Sequence, residues 1–427
     1  MKAKLVLIGN GMAGAKLLEE LMKSSPDKYD ITVFGNEPYG NYNRIMLSPL
    51  LAGEKTLEEI MVLDRPWYEQ HGIDLHVGEE KAIIKVDRIQ KMVTTLDGHQ
   101  IPYDRLIIAT GSKPFILPIE GTHLNGVMSF RDISDVEKMI RASNRHKKAV
   151  VIGAGLLGLE AAMGLCGRGM EVTVVHSNVV PLNRQLDHEA GSLLQEELND
   201  RGLKFKMNAQ TQSIEGNELG NVTKIHFRDG TSLETDIIIM AIGIRPNMQL
   251  AQDAGLYCEK GIVVNDTLQT YDPRIYALGE CIQHRGGTFG LVAPLYEQAK
   301  VLTNHLSEHG AAQYQTLPSA TKLKVTGINL FSVGDINGND DCEYLYYRDK
   351  QQGIYKKLVL KNNILIGAVL YGETQEGAFY NELLDAKKEL DAIRPFLMFG
   401  RALCDEKSNE RSDELSQNEH VLEGEIL

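Results

Sequence analysis

The chain has 427 residues, of which 43% are hydrophobic and 24% are charged, and its formal net charge is -13. This length exceeds what one core usually fills, so we expect about three domains. The acidic charge argues against a nucleic-acid partner, because phosphate binding needs basic patches, although it would suit docking onto a basic protein surface. No apolar run approaches the roughly 18–20 residues that span a bilayer. The N-terminus resembles no signal peptide, so we expect a cytoplasmic protein.

A continuous apolar run at Lys4–Ile8 is typical of a buried parallel strand. It leads into the glycine turn Gly9-Asn10-Gly11-Met12-Ala13-Gly14, then a helical stretch through about Lys23, and then a strand at Ile31–Phe34. This succession predicts one βαβ unit at the start of the chain.

The same plan returns 144 residues later, since a strand at Ala149–Ile152 precedes the turn Gly153-Ala154-Gly155-Leu156-Leu157-Gly158. A helix over about 158–168 and a strand at Glu171–Val175 complete it. In a G-x-G-x-x-G turn, the glycines let the backbone approach a pyrophosphate at a helix N-terminus. A single such turn is weak support, but two copies in the full context predict two dinucleotide-binding folds.

The two copies differ where an acid normally holds a ribose 2′-hydroxyl, at the end of the second strand. Glu37 fills that place in the first copy, whereas His176 fills it in the second. Neither an acid nor an arginine cluster stands beside His176. A histidine tolerates either NADH or NADPH, and we expect NADH with NADPH as the alternative.

Between the two copies, the pattern at Leu106–Gly111 predicts a strand that ends in a turn of small residues. A similar pattern follows the second copy at Ile237–Gly243, and Ile275–Glu280 predicts a further strand. From about 320 to 404 alternating strands precede a helical region near Gly377–Leu390, which predicts an α+β domain. The remainder is polar and acidic, typical of a disordered or surface-bound tail.

Taken together, these motifs resemble the FAD-dependent pyridine nucleotide–disulfide oxidoreductase superfamily over about residues 1–310. Within it, the chain is most similar to the flavin-bearing part of assimilatory nitrite reductases and to the electron-transfer subunit of assimilatory nitrate reductases. The closer match lies in Ile8–Met12, Asn43–Ser48, Gly155–Ala162, Gln185–Asp187, Gly243–Pro246, Gly290–Pro294 and Lys322–Asp335.

The resemblance implies an α/β fold of glutathione-reductase type, with two Rossmann-like domains, for FAD and NAD, and a C-terminal α+β domain. The FAD-binding domain would be discontinuous, covering 1–115 and 245–315, and the NAD-binding domain would cover 116–244. The C-terminal domain would cover 316–404, and the acidic tail 405–427.

The resemblance also implies positions at the two cofactors. Glu37 would hold the adenosine ribose of FAD, Ala82 its adenine end and Glu280 its ribityl chain, while Pro294 would open a helix aimed at the flavin, whose N-terminus stabilises negative charge. The other residues expected at FAD are Gly9, Gly11, Met12, Ala13, Gly14, Arg44, Ser48, Ala109, Thr110, Gly111, Arg131 and Gly279. The residues expected at NAD are Gly153, Gly155, Leu156, Leu157, Gly158, Glu160, His176 and Gly243.

Glu160 is the single candidate catalytic residue, since such enzymes often place a carboxylate near the nicotinamide. Related ferredoxin reductases usually carry a lysine after the Leu-Ser of the first flavin loop, whereas this chain has Pro49. A Lys–Glu pair is therefore not expected, and Glu160 would be solvated or bonded to a helix cap.

The electron acceptor is inferred partly from the absence of cysteine pairs. The five cysteines are scattered and form no C-x-x-C or C-x4-C pair, which argues against a disulfide framework, a metal site and a thiol relay. Since the cofactors carry the chemistry, we expect the flavin to pass electrons to a partner protein, first of all an assimilatory nitrate reductase. The chain also ends before any iron–sulfur or sirohaem region, so it would act as a stand-alone reductase. The alternatives are a rubredoxin or ferredoxin reductase and, in another class, a redox sensor or scaffold that keeps FAD without turnover.

Overall fold

The structure is a computed structural model that describes residues 2–316, 321–325, 327–391 and 393–406, with backbone alone at 321–325. Most of the predicted acidic tail, 405–427, lies outside the described residues. Among the described residues, none of the helices combines the length and the apolar character that crossing a membrane requires.

A five-stranded parallel sheet, here the first sheet, is built around the apolar run at the N-terminus. Its strands, in spatial order, are Ile275–Ala277, Arg105–Ile108, Ala3–Ile8, Tyr29–Gly35 and Asp74–Val77. The central strands are nearly all apolar because helices cover both faces of such a sheet. Leu5, Leu7 and Ile107 are accordingly fully buried.

A second five-stranded parallel sheet, here the second sheet, repeats the arrangement of four strands, but its fifth, at one edge, precedes the others in the chain instead of following them. Its strands are Val127–Ser129, Ile237–Met240, Lys148–Ile152, Glu171–Val175 and Lys204–Lys206. Each sheet carries a three-stranded antiparallel meander, formed by Ile83–Asp87, Met92–Thr95 and Gln100–Pro102 in the first, and by Thr211–Gly216, Val222–Phe227 and Ser232–Glu234 in the second. The internal repeat predicted from the glycine turns is therefore present in three dimensions.

Two antiparallel strands, Ser112–Pro114 and Ile244–Pro246, pair with one another where the chain passes between the two sheets. The smaller strands are Asn41–Tyr42, Met61–Leu63, Ile262–Val264, Ile282–His284 and Gly287–Thr288. The α-helices include Met12–Ser24, Leu47–Ala52, Leu57–Ile60, Arg65–Gln70, Ile133–Ser143, Leu156–Gly167, His188–Asp200, Gln249–Asp253, Val292–Leu306 and Gly377–Ala386, and 3-10 turns lie at Arg44–Met46, Glu79–Lys81 and Arg394–Phe399. Residues 401–406 are helical as well.

The C-terminal sheet is antiparallel, with the strand order Thr321–Val325, Ile328–Gly334, Ile364–Tyr371, Ile354–Lys361 and Glu343–Asp349. One face packs on the helix Gly377–Ala386, where Phe379 and Tyr380 are buried. The other face contributes Tyr355 and Tyr371 to the hydrophobic core of the second sheet. The C-terminal sheet thus packs against the second dinucleotide fold, and the two share one hydrophobic core.

The short helix Leu47–Ala52 of the first fold lies along the helix Leu156–Gly167 of the second. Leu51 is fully buried there, and its carbonyl accepts a hydrogen bond from the Arg168 guanidinium. A Cβ atom added at Gly164 would lie 2.9 Å from the Leu51 side chain. Close approach of the two helices therefore depends on the missing side chain at Gly164.

We expect Gly164→Ala to destabilise the protein by about 1–3 kcal/mol, because the extra methyl group overpacks the contact with Leu51. Urea denaturation measures this change. Gly167→Ala is the matched control, since it lies on the same helix with no atom within 4 Å of its added Cβ. The control should be neutral or slightly stabilising, through the better helix propensity of alanine. Equal stability of the two variants would contradict the packing argument.

Candidate functional site

The three glycines of the first turn have different roles. Gly9 has φ +113°, and a Cβ atom there would lie 2.1 Å from the Ala109 carbonyl oxygen. A Cβ atom at Gly14 would lie 2.4 Å from the Gly9 carbonyl oxygen. Gly11, by contrast, has ordinary extended backbone, and a Cβ atom there would meet nothing within 4 Å. The fold itself requires the two outer glycines, but nothing among the described residues requires the middle one.

The second turn repeats this pattern. A Cβ atom would lie 2.4 Å from the Ala241 carbonyl oxygen at Gly153, and 2.0 Å from the Gly153 carbonyl oxygen at Gly158. At Gly155 it would again meet nothing within 4 Å. Both middle glycines are the N-caps of helices that have no side-chain cap. The first-turn N–H groups of both helices are therefore available to an anion, and each middle glycine keeps the approach clear.

Other predicted glycines lie at the carboxyl ends of the parallel strands, where ligands bind in α/β sheets. Gly111, Gly243 and Gly279 have φ values of +67°, +115° and +93°. The Thr110 hydroxyl donates to the backbone carbonyl oxygen of Asn247 at 2.6 Å, and the backbone amide of Asn247 donates to the Gly111 carbonyl oxygen at 2.9 Å. These contacts join the small-residue turn after Arg105–Ile108 to the strand that returns from the second fold.

The predicted acid Glu37 lies two residues beyond the strand Tyr29–Gly35. One of its carboxylate oxygens accepts from the Tyr42 hydroxyl at 2.6 Å, and the other is paired with Arg44. Arg44 also donates to the Arg131 carbonyl oxygen at 3.0 Å. The structure therefore brings together three residues that the resemblance assigned to one cofactor.

Arg131 extends this network, since its guanidinium is paired with Glu280, which also accepts from the Ser112 hydroxyl at 2.7 Å. Arg131 comes from the segment before the helix Ile133–Ser143, and Glu280 follows the strand Ile275–Ala277. The charged groups predicted for the first cofactor thus form one chain of contacts beside the first glycine turn.

Glu160 lies in the second turn of the helix Leu156–Gly167, and it accepts a hydrogen bond from the Ser48 hydroxyl at 2.7 Å. Burial raises the pKa of the Glu160 carboxyl to about 7, and the bond from Ser48 opposes this rise. The expectation that Glu160 is solvated or bonded to a helix cap is therefore wrong. The Ser48–Glu160 bond therefore connects the two folds directly, as do the contacts of Arg131 with Arg44 and Glu280.

His176 follows the strand Glu171–Val175, as predicted, and both ring nitrogens are engaged within the chain. Its Nδ1 accepts from the Ala154 amide at 3.4 Å, and its Nε2 lies 3.1 Å from the Asn183 side-chain oxygen. Burial lowers the pKa of His176, so the neutral ring is favoured. His176 therefore offers no positive charge to a 2′-phosphate.

Two further predicted positions have clear local structure. The Ala82 amide donates to the Glu79 carbonyl oxygen at 3.0 Å, and the Ala82 carbonyl oxygen accepts from Leu96 at 2.8 Å. Pro294 lies in the first turn of the helix Val292–Leu306, whose N-cap has no side-chain hydrogen bond. The prediction that Pro294 opens a helix agrees with this geometry.

Two polar residues beside the first turn were missed in the sequence. The Asn10 side-chain oxygen accepts from the Tyr68 hydroxyl at 2.7 Å, but its amide nitrogen is buried with no partner among the described residues. Gln298 accepts from the Gly279 amide at 2.7 Å, and its amide nitrogen is likewise unpartnered among them. Buried donors of this kind usually have a partner, so both amides fit a bound ligand. Asn10 was detectable from its place between Gly9 and Gly11, whereas nothing local marks Gln298.

None of the five cysteines, all of which are described, forms a disulfide bond. Cys281, which follows the predicted FAD-binding acid, is fully buried, and burial raises the pKa of its thiol to about 11. An inert structural role fits this environment better than redox chemistry. Within the described ranges, no three His, Cys, Asp or Glu side chains are arranged to hold a metal ion.

The Glu160 pKa has a consequence for stability. At pH values between 4.5, the ordinary pKa of a glutamate carboxyl, and about 7, Glu160 is ionised in the unfolded chain but keeps its proton in the folded protein. Stability is therefore lost as pH rises through this window. We expect Glu160→Gln to be more stable than wild type by about 2 kcal/mol at pH 8 and nearly unchanged at pH 5, as measured by urea denaturation. Glu218→Gln, in an exposed turn, should show no such difference, and a pH-independent effect of Glu160→Gln would contradict the assignment.

Comparisons with known proteins agree with this geometry. Residues 3–305 match the family model described as pyridine nucleotide-disulphide oxidoreductase, and residues 318–388 match the rubredoxin NAD+ reductase C-terminal domain. Among solved structures, NADH:rubredoxin oxidoreductase from Clostridium acetobutylicum aligns with a TM-score of 0.76 and 27% identity, over 92% of this chain and 97% of that chain. This likeness confirms the predicted fold class.

Two curated relatives come from Bacillus subtilis. Nitrite reductase [NAD(P)H] is 49% identical over 88% of this chain and 46% of its own length. The assimilatory nitrate reductase electron transfer subunit is 44% identical over 88% of this chain and 48% of its own length. The chain thus spans about half the length of these relatives.

The matching family comprises FAD- and NAD(P)H-dependent reductases, which confirms the predicted oxidoreductase and cofactor pair. The match of 303 consecutive positions includes both glycine turns and the Ser48–Glu160 contact. By its fold, its paired turns and this match, the chain belongs to the pyridine nucleotide-disulphide oxidoreductase family.

Proposed function

We propose that this chain is a reductase that passes electrons from NAD(P)H, through FAD, to a redox partner protein. The observation that carries the proposal is the pair of middle glycines, Gly11 and Gly155. Each leaves open space at an uncapped helix N-terminus, although the chain itself requires no glycine there. One such turn would serve a flavoprotein scaffold, but two serve a protein that brings two dinucleotides together.

FAD would be held by the first fold. The first-turn amides of Met12 and Ala13 would bind its pyrophosphate over Gly11, and the buried amide of Asn10 would donate to the adenosine part. The remaining FAD contacts that we propose are Gly9, Gly14, Glu37, Arg44, Ser48, Ala82, Ala109, Thr110, Gly111, Arg131, Gly279, Glu280, Pro294 and Gln298. Two observations support this assignment: the buried side-chain amides of Asn10 and Gln298 have no partner among the described residues, and the space at Gly11 is open.

The nicotinamide nucleotide would be held by the second fold. The first-turn amides of Leu156 and Leu157 would bind its pyrophosphate over Gly155, and Gly243 would face the nucleotide from the carboxyl end of the sheet. His176 would border the adenosine ribose. Its neutral, fully engaged ring supports NADH over NADPH, because it supplies no charge to a 2′-phosphate.

Glu160 is the chain's proposed catalytic residue, at the nicotinamide end of the second site. When bound, FAD would supply the redox chemistry, namely hydride acceptance from NAD(P)H and release of single electrons. Ser48 donates to the Glu160 carboxyl from the first fold, and this bond fixes the direction in which the carboxyl points. Burial raises the pKa of the Glu160 carboxyl to about 7, so its protonated form is more populated near neutral pH than that of an ordinary carboxyl.

The acceptor that we propose first is an assimilatory nitrate reductase, which the 44% identity to an electron transfer subunit of that name supports. A rubredoxin or ferredoxin is the second candidate, and the match of residues 318–388 to a rubredoxin reductase domain favours it. The scattered cysteines, which form no disulfide bond, support a protein acceptor rather than a thiol relay.

The domain division that we propose remains 1–115 with 245–315 for FAD, 116–244 for NAD and 316–404 for the C-terminal domain. The paired strands at Ser112–Pro114 and Ile244–Pro246, where the chain crosses between the sheets, support the two inner boundaries. We also propose a cytoplasmic location, which the use of a nicotinamide nucleotide as electron donor supports.

The substitutions Gly11→Ala and Gly155→Ala test the FAD site and the NAD site separately, and each variant serves as the matched control for the other. Both backbones accept an alanine without contact, so folding should be unchanged by circular dichroism. We expect Gly11→Ala to lower FAD affinity about 100-fold. Gly155→Ala should keep FAD while its affinity for NADH falls by about the same factor. Wild-type affinity of Gly11→Ala for FAD, or of Gly155→Ala for NADH, would contradict the corresponding site.

The acceptor is tested by stopped-flow absorbance in two steps. NADH is first mixed with the FAD-loaded protein, and we expect the flavin absorbance to bleach within seconds. The reduced protein is then mixed with an assimilatory nitrate reductase or with a rubredoxin, and reoxidation should be faster with the nitrate reductase. Faster reoxidation by rubredoxin would overturn the first choice of acceptor. A flavin that stays oxidised under NADH would overturn the reductase itself and favour a sensor or scaffold.

A further inference from the structure

The segment 176–187, here called the nucleotide loop, connects the strand Glu171–Val175 to the helix His188–Asp200 beside the second glycine turn. The Leu182 amide donates to the Ala154 carbonyl oxygen at 2.9 Å, which ties the loop to the middle of the glycine turn. Leu182 adopts the left-handed conformation, with φ +50°. A non-glycine residue keeps such a backbone only when surrounding contacts hold it.

The nucleotide loop ends at Asp187, whose two carboxylate oxygens have different partners. One oxygen caps the following helix by accepting from the Ala190 amide at 3.1 Å. The other accepts from the Tyr355 hydroxyl at 2.6 Å and lies 3.4 Å from the Lys357 ammonium. Tyr355 and Lys357 belong to the strand Ile354–Lys361 of the C-terminal sheet. The end of the loop is therefore held from outside the second fold.

A hydrogen-bonded path connects the C-terminal sheet to the glycine turn. The amides of Gln185 and Leu186, next to Asp187, donate to the Leu182 carbonyl oxygen at 2.7 and 2.8 Å, and Leu182 is bonded to Ala154. Leu182, Leu186 and Tyr355 also lie in one buried cluster. A movement of the Asp187 end would therefore be transmitted over one short turn to the backbone that faces the pyrophosphate.

The contact at Asp187 is buried, since the side chains of Asp187 and Lys357 are 11% and 8% exposed. A second ion pair accompanies it, because Arg348 binds Glu189 through two nitrogens at 2.6 and 2.8 Å. The buried pair excludes water and has fixed geometry, whereas the pair at Glu189 is exposed and contributes less. The Tyr355–Asp187 bond is thus the specific link between sheet and loop.

We propose that the C-terminal sheet positions the nicotinamide-nucleotide site, with Tyr355 acting through Asp187 on the nucleotide loop. Tyr355 is then a positioning residue, because its hydroxyl binds Asp187 and is connected to the glycine turn only through the nucleotide loop. The proposal rests on the proposed function in one respect, namely that the second glycine turn binds NAD(P)H. It gives the C-terminal domain a role in nucleotide binding that is independent of any acceptor.

The test compares Tyr355→Phe with Tyr380→Phe in the FAD-loaded protein. Tyr380 is also fully buried in the C-terminal domain, and its hydroxyl donates to the Leu397 carbonyl oxygen at 2.9 Å, away from the nucleotide loop. We expect Tyr355→Phe to raise the KM for NADH at least about fivefold while kcat stays within about twofold of wild type. Tyr380→Phe should leave KM unchanged. Equal KM values in the two variants would overturn the proposal.

Hydrogen–deuterium exchange of the protein without NADH gives a readout that needs no activity. We expect faster exchange of the amides of Leu182, Gln185 and Leu186 in Tyr355→Phe, but not in Tyr380→Phe. Asp187→Asn keeps the cap on Ala190 and removes the charge facing Lys357, and combined with Tyr355→Phe it should add less than the sum of the two effects. If NADH leaves wild-type flavin oxidised, the proposed function fails, whereas unchanged exchange in Tyr355→Phe overturns the positioning role alone.

Discussion

Electron transfer between two dinucleotides requires that two separately folded sheets present their ligands to one another in fixed geometry. In this chain a helix-to-helix contact contributes to that geometry, since Leu47–Ala52 of the first fold lies against Leu156–Gly167 of the second. Gly164 lets Leu51 approach, and Arg168 fastens the Leu51 carbonyl. The Ser48–Glu160 hydrogen bond lies on the same contact, so the packing that joins the folds also orients the candidate catalytic carboxyl.

The features that follow from local chain geometry were predictable from the sequence. A strand, a glycine turn and a helix form within about 20 consecutive residues, and the outer glycines of each turn are required by neighbouring backbone. Both glycine turns, both flanking strands and the order of the repeat therefore agree with expectation. The place of Glu37 and of His176 after their strands was also correct, because it depends only on counting from the turn.

Contacts between distant segments were not predictable in the same way. Ser48 and Glu160 are 112 residues apart, and Arg131 and Glu280 are 149 apart, so no spacing or periodicity in the sequence indicates either pair. The link from Tyr355 to Asp187 spans 168 residues and joins two domains that the sequence shows only as separate patterns. Such pairs form only when complete helices and strands pack together. That packing depends on the shape and burial of side chains over the whole chain.

Pro49 shows how one sequence departure acts through this packing. A lysine beside Glu160 would place a positive charge near the carboxylate and hold its pKa down. Here the neighbouring partner is the neutral Ser48 hydroxyl, whose hydrogen bond opposes the effect of burial only in part, and the Glu160 pKa lies near 7. The effect of burial on the pKa of the Glu160 carboxyl is therefore opposed only by a neutral hydroxyl and not by a positive charge. Its protonated form is accordingly favoured more than that of an ordinary carboxyl, at a point where the two folds meet.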